Sequence, residues 1–315
     1  MATLDGERFL GAQLESIARQ TLAPVELVVC DDGSADGTVA LLDEFARDAP
    51  FPMRVQRNEE RLGVGDNFLR AAALCAGELV AFADQDDVWL EEKLARSVAA
   101  LEAPGVALVV HACAVVDEEL RPVGKAVPAI RRARVADRLE PARWGQSPGM
   151  AMTFERRLLE LFPAERRPRA HHEHGRLLHD EWVYGLARIA GKIAFVPDEL
   201  VLYRQHPVNV EGAPDLGLRQ RLADSVTVGW EYYRHRAEQA RDWAELLQDG
   251  FAAEAAAWRR LAESLELRAE VYRPDAARAA ALRRALRGGV YRARDREGFG
   301  VRGLVRDATL AAVRG

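Results

Sequence analysis

From Phe9 to about Val116 the chain alternates stretches of helical spacing with short runs that are apolar on both faces, and this alternation restricts the fold more than any other feature. Leu10, Leu14 and Ile17 share one helical face, and Val25 to Cys30 (VELVVC) follows as an apolar run. The pattern returns as Thr38 to Arg47, Met53 to Gln56, Gly65 to Ala76, Glu78 to Ala83 (ELVAFA), a helix from Leu90, and Val106 to Val116. Strands buried on both faces and separated by helices predict a doubly wound α/β fold with a mainly parallel sheet. Residues 117–148 have weak periodicity and read as a surface excursion before the next core segment, Gly149 to Phe154. A helical pattern begins near His179, then Lys192 to Val196 and Glu199 to Tyr203 form two short extended runs around Pro197. Beyond about Pro214 the composition shifts to Ala, Arg, Glu and Leu with helical spacing, which predicts a small helical appendage.

Two acidic clusters follow directly on strands. Asp31, Asp32, Gly33, Ser34, Ala35, Asp36, Gly37 and Thr38 come after VELVVC, and Asp84, Gln85, Asp86 and Asp87 come after ELVAFA. Parallel strands joined by right-handed crossovers present their carboxyl ends on one edge, so both clusters are expected to face one cleft. Turn and cap chemistry accounts for much of the first cluster. It fits the second poorly, because three carboxylates within four residues repel one another unless a cation lies among them. An all-oxygen site of this kind suits Mg²⁺ or Mn²⁺ bridging to substrate phosphates. Neither a GxGxxG turn after the first strand nor a GxxxxGK[ST] loop occurs, so dinucleotide-dehydrogenase and P-loop chemistry are excluded.

Composition narrows the classes further. With 44 basic and 49 acidic residues the formal net charge is −5, which argues against a nucleic-acid partner. Cys30, Cys75 and Cys113 lack metal-ligand or pairing spacing and read as reduced thiols of the cytoplasm. No basic-then-apolar leader and no apolar run of about 18 residues is evident, so neither export by that route nor a membrane span is expected.

Five ordered segments resemble the inverting glycosyltransferases of family 2, which have a GT-A fold. Asp5 to Thr21 (DGERFLGAQLESIARQT) is similar to the family's first helix, Cys30 to Thr38 (CDDGSADGT) to its nucleotide-binding turn, and Phe82 to Leu94 (FADQDDVWLEEKL) to its DxD metal motif. His179 to Trp182 (HDEW) resembles the catalytic-base segment, and Leu202 to His206 (LYRQH) the late His motif; the combination looks like the bacterial rhamnosyltransferase-like branch. The resemblance implies a GT-A domain over residues 1–213 and a helical C-terminal extension over 214–315. It also implies a nucleotide-sugar donor, UDP- or dTDP-linked, and a glycan or lipid-linked acceptor in bacterial polysaccharide or other glycan synthesis. By motif position, Asp180 would be the catalytic base, Thr3, Asp5, Asp32 and Asp84 would bind the nucleotide, and Asp86 and His206 the metal. The first strand of the family's sheet is expected to be truncated, because Met1 stands almost inside the turn that follows it.

Two further segments invite roles. His171, His172, Glu173 and His174 form a dense run that reads as a polar loop near the acceptor, with no catalytic role assigned. Residues 283–314 carry nine Arg against Asp295, Glu297 and Asp307, a local charge of +6 with apolar residues interleaved. That composition suits peripheral contact with an anionic membrane at its cytoplasmic face, or else a solvated helical face or dimer contact. Two other functions compete with sugar transfer: a metal-dependent phosphotransferase with an aspartyl nucleophile, and an inactive scaffold.

Overall fold

The computed structural model describes residues 1–138, 147–170, 175–206, 229–273, 278–291, 303–305 and 307–308. The His171–His174 run, the expected boundary at 213/214 and much of the basic tail lie outside these residues. The chain divides into two compact units, one of Met1–Arg138, Gly145–Ala164 and Leu178–Pro214, the other of Leu139–Trp144, Glu165–Leu177 and Asp215–Gly315.

The first unit is α/β. Strands β1 (Ala2–Thr3), β2 (Leu27–Asp31) and β3 (Met53–Arg57) form a parallel sheet in that order. Between and after them run helices α1 (Glu7–Ala18), α2 (Thr38–Asp48) and α3 (Val64–Leu74). The strand expected to be cut short is two residues long, with Ala2 opposite Cys30 and Thr3 opposite Asp31. All five residues of β2 are buried, which explains why its sequence is apolar on both faces until its last residue.

The second sheet contains β4 (Leu79–Ala81), β5 (Val88–Trp89), β6 (Val106–Val116), β7 (Arg134–Ala136), β8 (Met152–Glu155) and β9 (Lys192–Arg204). Its order is β4-β8-β6-β9-β5, with β7 also on β9. Strand β8 is antiparallel to both β4 and β6, and β9 is parallel to β6. Therefore β4, β6 and β9 all point the same way, and the loop after Ala81 and the residues after Arg204 leave the sheet at one edge. That relation puts the acidic loop and His206 at the same end of the domain. Helices α4 (Lys93–Leu101) and α5 (His179–Ala190) complete this unit.

The two runs around Pro197 are one strand. Val196 pairs with His111 and Glu199 with Ala112, so Pro197 and Asp198 are extra residues in an irregularity of the β6–β9 ladder. A proline that cannot donate to a ladder is accommodated by such a bulge, which is why the sequence looks interrupted there.

The second unit is helical: α6 (Trp230–Leu247), α7 (Ala252–Tyr272) and α8 (Arg278–Arg287). Trp243 of α6 and Trp258 of α7 stack with ring centroids 5.4 Å apart. Arg169 joins this unit through its guanidinium, which donates 2.8 Å bonds to both carboxylate oxygens of Asp242. Asp307 is fully buried and accepts bonds from Arg268 Nε (2.7 Å) and Nη2 (2.9 Å), the Tyr272 hydroxyl (2.6 Å) and the Tyr291 hydroxyl (2.7 Å). Removing one partner of a buried pair strands the other charge, at a cost of about 3–5 kcal/mol. Asp307→Ala is expected to lower the unfolding free energy of the helical unit by about that amount in urea titrations. An unchanged midpoint and slope would show that Asp307 is not its hub.

Candidate active site

The turn after β2 is shaped by its own carboxylates. Asp31 accepts bonds from the Thr3 hydroxyl (2.9 Å), the Gly33 amide (3.2 Å) and the Ser34 amide (3.0 Å), and Gly33 takes the left-handed φ of +92° that the turn needs. Asp32 accepts from Leu62 N (2.7 Å), Asn58 Nδ2 (2.9 Å) and Gly63 N (2.8 Å). Burial works to raise its pKa, but these bonds from Leu62, Asn58 and Gly63 outweigh it and leave the carboxyl below its ordinary value. Asp32 therefore holds the loop before α3 in the form seen here. Asn58 reaches Asn67 as well, and Asn67 donates to the Cys30 carbonyl (2.9 Å).

The start of α1 is fastened to the same turn. Asp5 sits at a left-handed φ of 47°, its carboxylate accepting from Ala35 N (2.8 Å) while its own amide donates to Ser34 Oγ (2.9 Å). Gly6 N donates to Thr38 Oγ1 (2.7 Å), Glu7 N to Asp36 (3.0 Å), and Gly37 N to the Glu7 carboxylate (2.9 Å). Thr3 and Asp5 are thus brought together with the DDGSADGT turn.

The acidic loop beyond β4 is where like charges meet. Burial first, then Asp86, then Asp180 push the Asp84 carboxyl up to about 8. A through-space effect of that kind requires the three carboxylates to share one neighbourhood, so the structure brings Asp180 of α5 to the Asp84–Asp86 motif across almost a hundred residues of chain. Asp180 lies in the first turn of α5, where the helix dipole favours a negative charge. That turn is anchored by His179, whose ring stacks on Phe68 at 4.0 Å and meets Phe82 edge-on at 4.7 Å. Gly149 makes the room, since a Cβ there would lie 2.4 Å from His179 Nε2.

Asp87 belongs to the interior. It is fully buried, and its Oδ1 accepts from the Arg204 amide at 3.0 Å. Burial, then Asp84 and Asp86, raise its pKa well above the usual carboxylate range. Arg204 returns the contact, donating from Nε to the Asp86 carbonyl (2.7 Å) and from Nη1 to the Glu118 carbonyl. Two residues on, His206 Nε2 faces Asp86 Oδ2 at 2.8 Å, and its ring packs against Phe9 with centroids 4.9 Å apart. The Arg204 guanidinium lies over the same Phe9 ring at 4.5 Å. Behind the loop, Lys93 is fully buried with its ammonium 3.9 Å from the Trp89 ring centroid, and burial pulls its pKa down to about 7.

Helix α1 holds this loop from the other side with a buried polar stripe. Gln13 Nε2 donates to the Asp84 carbonyl (2.8 Å), Trp89 N donates to Ser16 Oγ (3.0 Å), and Gln20 Nε2 donates to the Leu90 carbonyl (2.8 Å). Sequence periodicity identified the Leu10, Leu14, Ile17 face of α1 but not this stripe, nor the parts of Arg204 and Phe9. Arg204 stands inside the LYRQH segment, where its neighbour His206 drew the attention; Gln13 and Phe9 carry no local signal.

Among the described residues, no group of three or more His, Cys, Asp or Glu side chains is arranged to hold a metal ion. Asp86 and His206 are the facing pair that could supply part of a coordination sphere.

The Asp84 shift has a definite sign. Its folded pKa of about 8 lies above the unfolded value of about 3.9, so the stability it contributes is full below about pH 4 and is lost as pH rises through about 8. In metal-free buffer, Asp84→Asn should melt higher than the parent near pH 8–9, and the gain should vanish toward pH 4. A difference independent of pH would show that Asp84 ionises normally.

A sequence model of the family described as Glycosyl transferase family 2 matches residues 1–162, just over half of the chain. An uncharacterised glycosyltransferase of Nostoc sp. is 28% identical over 209 residues, covering 64% of this chain and 62% of that protein. A dTDP-rhamnosyl transferase of Shigella flexneri is 30% identical over 102 residues, covering 31% of this chain and 35% of that protein. The chain thus spans less than two thirds of the length of the curated relatives it matches. A crystal structure of S. aureus TarS 1–349 in complex with UDP has a TM-score of 0.54 at 18% identity, covering 99% of this chain and 88% of that one, which shows the shared GT-A fold. The ordered motifs, the α/β architecture and the family match lead to one assignment: the chain belongs to glycosyl transferase family 2.

Proposed function

We propose that the chain is an inverting enzyme that moves a sugar from a UDP- or dTDP-linked donor to a hydroxyl of a glycan or lipid-linked acceptor in bacterial polysaccharide or other glycan synthesis. The observation that carries this is the convergence of Asp84, Asp86 and Asp180 from two distant segments, the charges of Asp86 and Asp180 both raising the Asp84 pKa. A carboxyl whose pKa is raised by burial together with specific charged neighbours is the kind of group found at functional sites. Transfer of rhamnose from dTDP-rhamnose is the finer proposal, supported by the Shigella relative.

In this proposal Asp180 is the base. A carboxylate in the first turn of a helix, near but not part of the Asp84–Asp86 motif, can accept the proton of an acceptor hydroxyl as that oxygen attacks the anomeric carbon. Attack from the side opposite the departing nucleoside diphosphate inverts the configuration. Thr3, Asp5 and Asp32 belong to the nucleotide side: their turn is rigidly laced, and Asp84 stands between that turn and the diphosphate side. Asp32 already accepts three bonds, so its part is to hold the loop at Leu62 and Gly63 that would border the base.

A divalent ion, Mg²⁺ or Mn²⁺, fits the donor set. Mg²⁺ is usually bound through one or two carboxylates with substrate phosphates and water completing the sphere. Asp86 and His206 would hold it, in place of the proton now implied between Oδ2 and Nε2. When bound, such an ion stabilises the negative charge of the departing diphosphate.

We further propose residues 1–213 as the catalytic domain and 214–315 as a helical extension resting peripherally on an anionic cytoplasmic membrane face through residues 283–314. Among the described residues no helix is long and apolar enough to cross a membrane. Arg283, Arg284 and Arg287 of α8, with Leu286 exposed beside them, support the peripheral contact.

Asp180→Asn should bind donor nucleotide as the parent does and lose about 10²–10⁴-fold in turnover. Near-parental turnover removes Asp180 from the role. Titration with UDP and dTDP, with and without Mn²⁺, should show nucleotide binding that the metal strengthens; its absence defeats the donor proposal. Flotation with anionic phosphatidylglycerol vesicles at low salt should carry the chain upward and fail above about 0.5 M salt.

A further inference from the structure

The middle residue of the acidic motif is not a spacer. Gln85 Nε2 donates to the Leu4 carbonyl at 2.9 Å, and the Leu4 amide donates to Gln85 Oε1 at 2.9 Å. One side-chain amide thus pairs with both main-chain groups of a residue 81 positions away, as a neighbouring strand would. The partners fix the amide's orientation, because only oxygen can face the Leu4 N–H and only nitrogen its carbonyl. The contact also requires the glycine beside it: a Cβ on Gly6 would stand 2.3 Å from Gln85 Oε1. On either side of Leu4 lie Thr3, bonded to Asp31, and Asp5, bonded to Ala35. On either side of Gln85 lie Asp84, whose carbonyl is held by Gln13, and Asp86, which faces His206.

We propose that Gln85 is a positioning residue that couples the turn Thr3 to Gly6 to the acidic loop, so that the nucleoside and the metal-bound diphosphate of one donor are recognised as a single unit. The inference rests on the donor reading above. Without the crossbar each half of the site keeps its own bonds, the first to the turn after β2 and the second to α1 and Arg204. What is lost is their fixed separation, and with it the advantage of binding both parts of one ligand at once.

The coupling is measured as the factor by which Mn²⁺ tightens binding of UDP or dTDP, which linkage makes equal to the factor by which nucleotide tightens Mn²⁺. In Gln85→Leu that factor should fall about tenfold, the loss expected from two neutral hydrogen bonds, while binding of Mn²⁺ alone stays within about twofold. Gly6→Ala, which displaces the same amide from the opposite side, should lower the factor likewise. An unchanged factor in both variants overturns the inference. So does a parallel loss of every affinity together with a depressed melting temperature, which would mark Gln85 as a mere staple of the fold. If the parent itself shows no metal-dependent nucleotide binding, the donor reading fails first, and the inference with it.

Discussion

Mutual repulsion among carboxylates is the constraint around which the α/β unit is organised. Asp84, Asp86 and Asp180 are held within reach of one another, in surroundings that make ionisation of Asp84 costly. A flexible loop would relieve the strain by letting the side chains part. Here the loop cannot yield, because its carbonyls at Asp84 and Asp86 accept bonds from Gln13 and Arg204, and Gln85 is paired with Leu4. Cationic groups lie close by, with Lys93 behind the loop and Arg204 across it. The result is a cluster of carboxylates in which Asp84 keeps its proton to well above the usual carboxylate range.

The acidic residues divide the labour according to burial. Asp31 and Asp32 spend their lone pairs on the turn and on the loop before α3, and Asp87 spends one on the main chain of Arg204. These three serve geometry. Asp86 instead faces His206, and its charge and that of Asp180 act on Asp84. For Asp31 and Asp32 the division follows from the donors that already occupy each carboxylate, and for Asp87 from its complete burial.

Much of this was legible in the sequence. The alternation of helices with doubly apolar runs gave the α/β class; the two acidic clusters do follow strands, but β2 and β4 belong to separate sheets rather than to one parallel sheet. Three things were not. Antiparallel insertion of β8 between β4 and β6 leaves no local trace, because a buried strand reads the same in either direction. The bulge at Pro197 split one strand into two apparent runs. Burial of the polar stripe, formed by Gln13 and Ser16 of α1 and by Gln20 just beyond it, has no signature in the sequence, since amphipathic reasoning assumes that buried means apolar. Residues whose partners lie seventy or eighty positions away carry no signal in their own neighbourhood.

That stripe bears on how such a protein tolerates change. A designer scanning α1 for faults would mark Gln13 and Ser16, both almost wholly sealed from water, and replace them with leucine to enlarge the core. The repacked helix could well be content by itself. The carbonyl of Asp84 and the amide of Trp89 would then be orphaned in an oily interior, and the segment between them would seek new partners elsewhere. In this protein an improved interior and a working one are different objectives.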